Sequence, residues 1–570
     1  MNTKTINSPA ADLSPNDLEG APFLPPALPY EAAKNPSDQL ATVSVLGIRL
    51  QYRKRNKGYI FLLCMSACLV TVAVITAAGW YLGSLHTRLR RMHKVPVRNV
   101  IMMISDGFGP ASQTLARNYN QYLNNLPVGT QLPLDTILVG SSRTRSSSSF
   151  VTDSAAGATA FSCALKTYNG AIGVNSNGTP CGTVLEAAKD RGMFTGLVAT
   201  SRITHATPAA FSAHVGSRND EDQIALQQLG DYKLGRRVDL MFGGGLCHFL
   251  PNSTAESCRT DGIDVMEQAR NLGWNVGVGK NYFDQIFFEK STLPLLNLFT
   301  LDHMSYDIDR DDAVEPSLTS MSLKALDLLN KASLEKNTGF FLMIEGSRID
   351  MAAHTNDPSA HIGEILQYNT AISAVKKFVD DHPDTILIST SDHETGGLSV
   401  GYQLGPMYPI YAWFPEAITG VKRSAEYIVR QIKQYSGADA TNFIKNTVFP
   451  KWLNNTDPDP SDVNYLSNTS QPSDQMEYKV GGIVSSWAGL GWSTHGHSAV
   501  DVNLYAYGAN SKDLFGNHEN TDIGNFIIKN LNLDLAKVTQ DLNGWKPGNY
   551  TKIEEHSIET ERHIHAQHNL

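Results

Sequence analysis

The chain has 570 residues, of which 41% are hydrophobic and 18% are charged, a composition typical of a globular protein. Its length exceeds that of one small domain and predicts one large α/β domain with insertions. The net charge of −9, from 47 basic and 56 acidic residues, argues against a general nucleic-acid-binding protein, and we expect no nucleic-acid partner.

An apolar segment near the N-terminus predicts a membrane anchor. Residues 58–85 contain no Asp, Glu, Lys or Arg, and a helix of this length spans a bilayer core of about 30 Å. A cleaved signal peptide is the alternative, but its apolar region would be shorter and nearer the N-terminus. We therefore predict a transmembrane signal anchor at 58–85, preceded by a disordered cytosolic tail at 1–57 and followed by a basic stalk at 86–97.

The side of the membrane that holds the large domain is predicted from features after the anchor, because basic residues flank both ends of the anchor almost equally. All the Asn-x-Ser/Thr sequons follow the anchor, and they begin at Asn177, Asn252, Asn454, Asn468 and Asn549. These glycosylation acceptors predict a single-pass type II membrane glycoprotein with its large domain in a lumen.

Four cysteines also follow the anchor, in two pairs that are close in sequence, a pattern that suits disulfides in an oxidising lumen. We expect Cys163 to pair with Cys181 and Cys247 with Cys258, although spacing alone does not fix the connectivity. Free buried thiols are the alternative. The pattern agrees with a domain outside the cytosol.

After the stalk, strand-like and helix-like segments alternate along the chain. Short apolar runs typical of buried strands lie at 100–104, 196–200, 238–242, 340–344 and 385–390. Helix-like stretches lie between them, at 154–165, 183–192, 321–336 and 362–381. This alternation predicts an α/β fold, with a large and mainly parallel central sheet covered by helices on both faces, over residues 98–550.

Two further segments depart from this alternation. Residues 401–490 are rich in Pro, Tyr, Asn and Asp, and we expect an insertion there. Residues 551–570 are polar, and their histidines are more typical of a flexible tail than of a metal site.

Polar residues follow several of the predicted strands, at the sheet edge where ligands bind in open parallel sheets. They are Asp106, Glu345, Asp350, His354, Asp392 and His393. One carboxylate at a strand end is commonly a helix cap, but three strands that deliver acids to one edge predict bound cations, because unpaired carboxylates would repel one another. Mixed His and carboxylate ligands favour Zn²⁺, and oxygen ligands alone favour Mg²⁺. The segment GWSTHGHSAVDV (491–502) offers two more candidates, His495 and His497.

The segment VTDSAAGAT (151–159) contains a candidate nucleophile. Ser154 is expected at the N-terminus of a helix, where free backbone N–H groups and the helix dipole favour a phosphate dianion. The alternative is that Asp153 or Ser154 only caps the helix. Arg218 suits bidentate binding of phosphate oxygens, and an ordinary surface arginine is the alternative.

Six motifs together resemble the alkaline phosphatase family, in the order of that family. They are ISDGFG (104–109), VTDSAAGAT (151–159), THATPAA (204–210), IEGSRID (344–350) followed by His354, SDHE (391–394) and HSAVDV (497–502). The resemblance covers roughly residues 98–530, and six ordered motifs argue against a chance agreement. The anchor and the wording GSRIDMAAH most resemble the fungal vacuolar branch.

The resemblance implies an alkaline-phosphatase-like fold, two Zn²⁺ and one Mg²⁺ per chain, and a role for each site residue. The ligands of the first zinc would be Asp350, His354 and His497. Those of the second zinc would be Asp106, Asp392 and His393. Those of Mg²⁺ would be Asp106, Thr207 and Glu345. Ser154 would form a covalent phosphoserine and Arg218 would clamp phosphate, with His205 and Asp153 next to these groups.

Two positions depart from one branch of the family or another. Where this chain has His205, bacterial members often have Asp and animal members have His. Where it has Met351, bacterial members often have Lys and animal members have His. Methionine offers neither a charge to phosphate nor an ordinary Mg²⁺ ligand, so the sequence leaves the third metal and the phosphate affinity open.

The resemblance also implies broad hydrolysis of small phosphate monoesters, a homodimer, and a location in the vacuole membrane, with the plasma membrane as the alternative. One competing hypothesis is a phosphodiesterase or sulfatase of the same superfamily, but Ser154 and Arg218 favour monoesters. The other is an inactive membrane glycoprotein that keeps the fold for adhesion or scaffolding. The presence of every expected ligand argues against it.

Overall fold

The computed structural model describes residues 40–45, 48–53, 65–66, 68–82, 96–287, 293–403 and 405–546. Two compact units divide the chain, Met1–His93 and Lys94–Leu570. In the first unit, strands β1 (Leu40–Val45) and β2 (Ile48–Arg53) form an antiparallel hairpin. The expected disordered tail therefore does not extend over these two segments, whose β-branched residues favour strands. The rest of that tail lies outside the described residues.

The predicted anchor at 58–85 is described only in part. Residues 65–66 and 68–82 are helical, whereas the rest of the anchor and the stalk up to residue 95 lie outside the described residues. Within the described part of the chain, no helix is both long enough and apolar enough to cross a membrane. Membrane anchoring therefore stays a prediction. The tail predicted at 551–570 also lies outside the described residues.

Ten strands form the central sheet of the second unit. They are β3 (Asn99–Ser105), β4 (Leu138–Arg143), β5 (Phe194–Arg202), β6 (Leu240–Gly244), β7 (Asn275–Val278), β8 (Leu295–Leu298), β9 (Phe340–Gly346), β10 (Thr385–Thr390), β13 (Val502–Gly508) and β14 (Gly516–Glu519). A separate antiparallel pair consists of β11 (Glu394–Thr395) and β12 (His497–Ser498). The order across the large sheet is β14-β4-β13-β10-β3-β9-β5-β6-β8-β7. Strand β13 runs antiparallel to both of its neighbours, and the other pairings are parallel.

Helices connect these strands. They are α1 (Pro110–Leu123), α2 (Ser154–Cys163), α3 (Val184–Asp190), α4 (Ala206–Ser212), α5 (Glu221–Leu229), α6 (Val265–Asn271), α7 (Gly279–Asp284), α8 (Leu318–Lys336), α9 (Arg348–His354), α10 (Pro358–Asp381), α11 (Glu416–Thr419), α12 (Ala425–Gln434), α13 (Ala440–Phe443), α14 (Pro460–Ser467), α15 (Ser473–Ala488), α16 (Asn520–Leu531) and α17 (Leu535–Leu542). Short 3₁₀ helices lie at Leu134–Ile137, Leu246–Phe249 and Ser511–Leu514, and a π-helix lies at Ile444–Trp452. The predicted helices are present as α2, α3, α8 and α10.

Both faces of the sheet are buried, which confirms the predicted α/β architecture. Val100, Met102 and Ile104 of β3 join one core cluster, together with residues of α2 and α3. Ile101 and Met103 join another cluster, together with residues of α8 and α10. Because successive side chains of a strand point to opposite faces, a strand covered on both sides is apolar at every position. This explains why the apolar runs in the sequence mark strands of the sheet.

The segment expected to be an insertion contains α11–α15, and its residues form most of one core cluster, which Leu115, Ile362 and Leu398 also join. Ile428, Ile432, Phe449 and Val480 are all buried in this cluster. The helices of the insertion therefore pack largely on one another. The predicted disulfide pairing is also confirmed, since Cys163 is bonded to Cys181 and Cys247 to Cys258.

A buried ion pair anchors α3. Glu186 belongs to the capping box of this helix and also contacts His214, whose Nε2 lies 2.8 Å from Glu186 Oε1. His214 Nδ1 lies 2.7 Å from the carbonyl oxygen of Gly173, so both ring nitrogens face acceptors, as in a protonated imidazole. Burial lowers the pKa of His214, but Glu186 outweighs burial and raises it above 6.5. Burial raises the pKa of Glu186, but His214 outweighs burial and lowers it below 4.5.

We expect Glu186→Gln to lower the free energy of unfolding by about 3 kcal/mol, because it leaves a buried charge without its partner. The carboxylate contributes stability above about pH 4.5, and this is lost as the pH falls through its lowered pKa. The imidazolium contributes stability below about pH 6.5, and this is lost as the pH rises through its raised pKa. Denaturant unfolding of the full-length chain should therefore show a larger effect at pH 6 than at pH 9.

The matched control is Glu335→Gln, the same chemical change at an exposed position of α8. We expect this variant to unfold like the wild type at both pH values. Equal effects of the two substitutions would contradict the role of the buried pair.

Candidate active site

Three neighbouring parallel strands bring acidic residues to one edge of the sheet. Strand β3 lies between β10 and β9, and Ile104 is aligned with Thr390 on one side and with Glu345 on the other. Asp106 follows β3 and Asp392 follows β10. Because the carboxyl ends of parallel strands meet at one edge, these carboxyl groups converge, and all three are buried.

The three residues that the resemblance assigns to the first zinc lie together. Asp350 and His354 are four residues apart on α9, and His354 Nε2 lies 3.2 Å from Asp350 Oδ2. His497 Nε2 lies 3.2 Å from His354 Nε2 and 3.8 Å from Asp350 Oδ1. The potential ligand atoms of all three side chains therefore face a common point.

The residues assigned to the second zinc form an adjacent cluster. His393 Nε2 lies 3.3 Å from Asp106 Oδ1 and 3.3 Å from Asp392 Oδ2. The ring of His393 stacks on that of His497, with 3.5 Å between centroids. This stacking brings the two clusters side by side.

The oxygen donors expected to hold Mg²⁺ lie beside the second cluster. Glu345 Oε2 accepts hydrogen bonds from Ser347 Oγ at 2.6 Å and from Ser201 Oγ at 3.3 Å. Thr207 is buried, and both it and Asp106 are close enough to Glu345 to influence the pKa of its carboxyl group. The structure therefore brings all three residues to one place.

Ser154 is the first residue of α2, and Asp153 is the N-cap whose side chain accepts a hydrogen bond from the N–H of Ala156. Asp153 thus performs the capping that the sequence left open between the two residues. Ser154 Oγ instead lies 3.0 Å from His393 Nε2 and 3.4 Å from Asp106 Oδ1. The serine hydroxyl is therefore at a helix N-terminus and also at the second cluster.

Arg218 is held next to this serine by two side chains. Its Nη1 lies 3.2 Å from Asp153 Oδ2, and its Nη2 lies 3.1 Å from His205 Nε2. The arginine is only 7% exposed, unlike an ordinary surface arginine. Asp153 and His205 therefore orient the guanidinium.

Backbone carbonyls fix the tautomers of two of the histidines. His354 Nδ1 lies 2.5 Å from the carbonyl oxygen of His495, and His497 Nδ1 lies 2.8 Å from that of Thr152. Because a carbonyl oxygen only accepts, each Nδ1 carries the proton and each Nε2 keeps a lone pair for a cation. His495 itself stacks on Tyr478, with 3.8 Å between ring centroids. Sequence reasoning missed these contacts because main-chain acceptors leave no residue signature.

Thr395 is a further residue that sequence reasoning missed. Its Oγ1 lies 2.5 Å from Asp350 Oδ1 and 3.2 Å from His393 Nδ1. This hydroxyl therefore links one residue of each cluster. Its only sequence signal was its place directly after the SDHE motif.

Two glycines allow backbone segments to approach the ligands. A Cβ on Gly107 would lie 2.6 Å from Asp350 Cα, and Gly107 has a φ of +71°. A Cβ on Gly157 of α2 would lie 2.9 Å from Asp392 Cβ. The small residues of the ISDGFG and DSAAGAT segments are therefore required by close contacts at the site.

The side chains around the carboxyl groups at this edge supply too little positive charge to balance them. Burial raises the pKa of Asp106 well above its ordinary value, and the nearby Asp392, Asp350 and Glu345 raise it further. Burial also raises the pKa of Glu345 and that of Asp392 to about 7. Among the described residues, Asp106 Oδ2, Asp392 Oδ2 and Glu345 Oε1 have no hydrogen-bond partner. This donor set of carboxylates and imidazoles fits divalent cations, whose charge removes the repulsion.

A cavity of about 480 Å³ opens over Ser154 and Arg218. Met351 lies in its wall, where its Sδ is 3.0 Å from Arg348 Nη1. The α/β sheet, the serine at a helix N-terminus and the buried arginine beside it are typical of an enzyme that acts on phosphate esters.

Comparison with known proteins agrees with this class. A family model described as alkaline phosphatase matches residues 97–533. The chain is 49% identical over 445 residues to an alkaline phosphatase of Schizosaccharomyces pombe. This alignment covers 78% of this chain and 83% of the relative. It is 46% identical over 514 residues to the repressible alkaline phosphatase of Saccharomyces cerevisiae. This alignment covers 85% of this chain and 89% of the relative.

A solved structure has the same fold. The crystal structure of a cold-active alkaline phosphatase from the psychrophile Shewanella sp. matches with a TM-score of 0.64 and 31% identity, over 76% of this chain and 99% of that chain. The chain belongs to the alkaline phosphatase family and is an enzyme that hydrolyses phosphate monoesters.

We expect Gly107→Ala to lower both stability and activity. The added methyl group must displace the backbone of Asp350. The alanine must also keep the left-handed backbone conformation of Gly107, and we expect a cost of about 1–3 kcal/mol. A shift of Asp350 relative to His354 should lower kcat/KM by about a hundredfold. Denaturant unfolding and hydrolysis of a chromogenic monoester measure the two effects. Gly129→Ala, at an exposed glycine with open space around it, should change neither.

Proposed function

We propose that this enzyme hydrolyses phosphate monoesters through a covalent phosphoserine at Ser154. The observation that carries the proposal is the position of Ser154 Oγ, 3.0 Å from His393 Nε2 and at the N-terminus of α2. Because Asp153 already caps this helix, the serine hydroxyl is available for chemistry. A divalent cation held by the adjacent Asp106, Asp392 and His393 would favour its ionised, nucleophilic form.

The reaction then proceeds in two displacements at phosphorus, first by the serine and then by water. Ser154 Oγ forms a bond to phosphorus while the bond from phosphorus to the alcohol oxygen breaks, so the phosphoryl group passes to the serine. Water attacks the same phosphorus, and the bond to Oγ breaks to release inorganic phosphate. Arg218 and the N–H groups of the first turn of α2 balance the charge on the phosphoryl oxygens. Since these groups bind only the phosphoryl part, many different alcohols can leave.

We also propose two Zn²⁺ and one Mg²⁺ per chain. The residues that would hold the first zinc are Asp350, His354 and His497. Those that would hold the second zinc are Asp106, Asp392 and His393. Those that would hold Mg²⁺ are Asp106, Thr207 and Glu345. When bound, these cations supply positive charge that favours the serine alkoxide and stabilises the leaving alkoxide.

For the location, we propose a type II orientation with the catalytic domain in a lumen, in the vacuole membrane or alternatively the plasma membrane. The exposed sequon residues support it; they are Asn177, Asn252, Asn454 and Asn468. Asn549 lies outside the described residues. The two disulfides support it as well, because such bonds persist in oxidising compartments. A homodimer is proposed from the family resemblance alone.

We expect Ser154→Ala to lower kcat for a chromogenic phosphate monoester by about a thousandfold or more, because no nucleophile remains to accept the phosphoryl group. Wild-type enzyme quenched with acid during turnover of a ³²P-labelled monoester should retain label on the peptide that contains Ser154, and the variant should not. Ser461→Ala, at an exposed serine of the insertion, serves as the control and should behave like the wild type.

Full activity of Ser154→Ala would show that another residue is the nucleophile. A parallel assay with a phosphate diester separates the monoesterase from the competing diesterase. Faster hydrolysis of the diester by the wild type would contradict the proposed substrate class.

Removal of metal ions should abolish the activity. We expect dialysis against EDTA to leave a folded but inactive protein, because the buried carboxylates lose the charge that holds them in place. Zn²⁺ and Mg²⁺ together should restore the activity, and elemental analysis should find two zinc ions and one magnesium ion per chain. Retained activity in a protein shown to be free of metal would overturn the metal proposal.

A further inference from the structure

The cavity over the serine continues to the helical insertion. Ser154 and Arg218 line one part of it, and residues of α12 and α15 line another. Its volume of about 480 Å³ lies within the range of sites for whole small molecules and exceeds what one phosphate group fills. The space beyond the phosphate is therefore bounded by residues of the insertion.

One face of α12 is turned toward this cavity. The residues of this helix that line it are Glu426, Val429, Arg430, Lys433 and Gln434. Their spacing of three and four residues is that of a single helical face. On the other side of the helix, Ile428 and Ile432 are buried in the core of the insertion. Packing of the apolar face thus fixes where the polar face presents its side chains.

Positive charge prevails on this polar face. Glu426 Oε2 pairs with the buried Arg348 at 2.5 Å, whereas Arg430 Nη1 lies 3.8 Å from Glu426 Oε1 and its side chain is 50% exposed. Lys433 Nζ donates to two main-chain carbonyl oxygens, which are neutral. Two cations, Arg430 and Lys433, therefore share this face with one carboxylate, which is also paired with Arg348 of α9. The nearby Glu477 adds little negative charge at neutral pH, because burial raises its pKa to about 8.

We propose that Arg430 and Lys433 form a distal anion subsite, which binds a second negatively charged group on the leaving-group part of the substrate. The inference rests on the proposed function, because the first phosphate must reach Ser154. It names a preferred substrate class, namely phosphate monoesters whose alcohol carries another phosphate, as in sugar bisphosphates. Monoesters of neutral alcohols contact this face without an ionic partner.

A matched pair of substrates tests the subsite. Initial rates of phosphate release from glucose 1,6-bisphosphate and glucose 6-phosphate are measured with the full-length, metal-loaded enzyme at pH 7 and low ionic strength. The wild type should have a kcat/KM for the bisphosphate well above twice that for the monophosphate, since the bisphosphate offers two hydrolysable groups. In Arg430→Gln, the ratio of the two kcat/KM values should fall about fivefold, the effect of one partly exposed ion pair. Added NaCl should lower the wild-type ratio toward that of the variant.

Three control variants sharpen the test. Lys433→Gln should lower the ratio in the same direction, and Arg430→Lys should retain most of it because the charge is kept. Lys445→Gln, at an exposed lysine of the insertion outside the cavity wall, should leave the ratio unchanged.

The outcomes separate the subsite from the proposed function. An unchanged ratio in Arg430→Gln would overturn the subsite, and so would an equal loss of kcat/KM for both substrates. A wild type that prefers glucose 6-phosphate would overturn it as well. A wild type that hydrolyses neither substrate would instead contradict the proposed function.

Discussion

Four carboxyl groups are buried together at the carboxyl edge of the sheet, and much of the structure depends on how their charge is balanced. They are Asp106, Glu345, Asp350 and Asp392. A protein interior does not hold several ionised carboxylates without opposing charge. Burial and mutual repulsion raise the pKa of Asp106, whereas burial is outweighed at Asp350, whose pKa the neighbouring histidines lower. Neighbouring histidines therefore offset part of the charge at Asp350, and the mixed carboxylate and imidazole donors around all four groups suit divalent ions.

The need to hold these four carboxyl groups together explains several local features that the stability of the fold does not require. The central strand β3 places Asp106 between the contributions of β9 and β10, so the strand order itself assembles the cluster. Small residues in the loop after β3 and in α2 let two backbone segments approach Asp350 and Asp392. Carbonyl oxygens fix the protonated nitrogen of His354 and of His497. Each of these contacts holds ligand atoms in place before any ion binds, which lowers the cost of organising the site.

The sequence predicted those parts of the molecule that carry a local signal. Strands buried on both faces are continuous apolar runs, so β3, β9 and β10 were recognisable, and the residues at their ends followed from the rule for parallel sheets. The hairpin of β1 and β2 was missed, because its short strands lie in a segment dominated by the composition of a disordered tail. The apolar run of β13 is visible in the sequence, but its antiparallel direction and its pairing with β4, which shifts register between Leu504 and Tyr505, have no local signature. Thr395 and the carbonyl of His495 act through contacts between distant segments, which spacing along one sequence does not reveal.

A substitution disturbs different contacts at the sheet edge and in the insertion. The reacting groups are fixed by the sheet edge, where a change at one position disturbs several ligands at once. Helix α12 instead packs in a core formed mainly by the insertion, together with Leu115 of α1 and Ile362 of α10, so its polar face can change while the sheet stays the same. The ion pair between Arg348 and Glu426 is a direct tie between the two parts, since Arg348 lies two residues before Asp350 on α9. The charge of Glu426 is therefore linked to α9 through that contact.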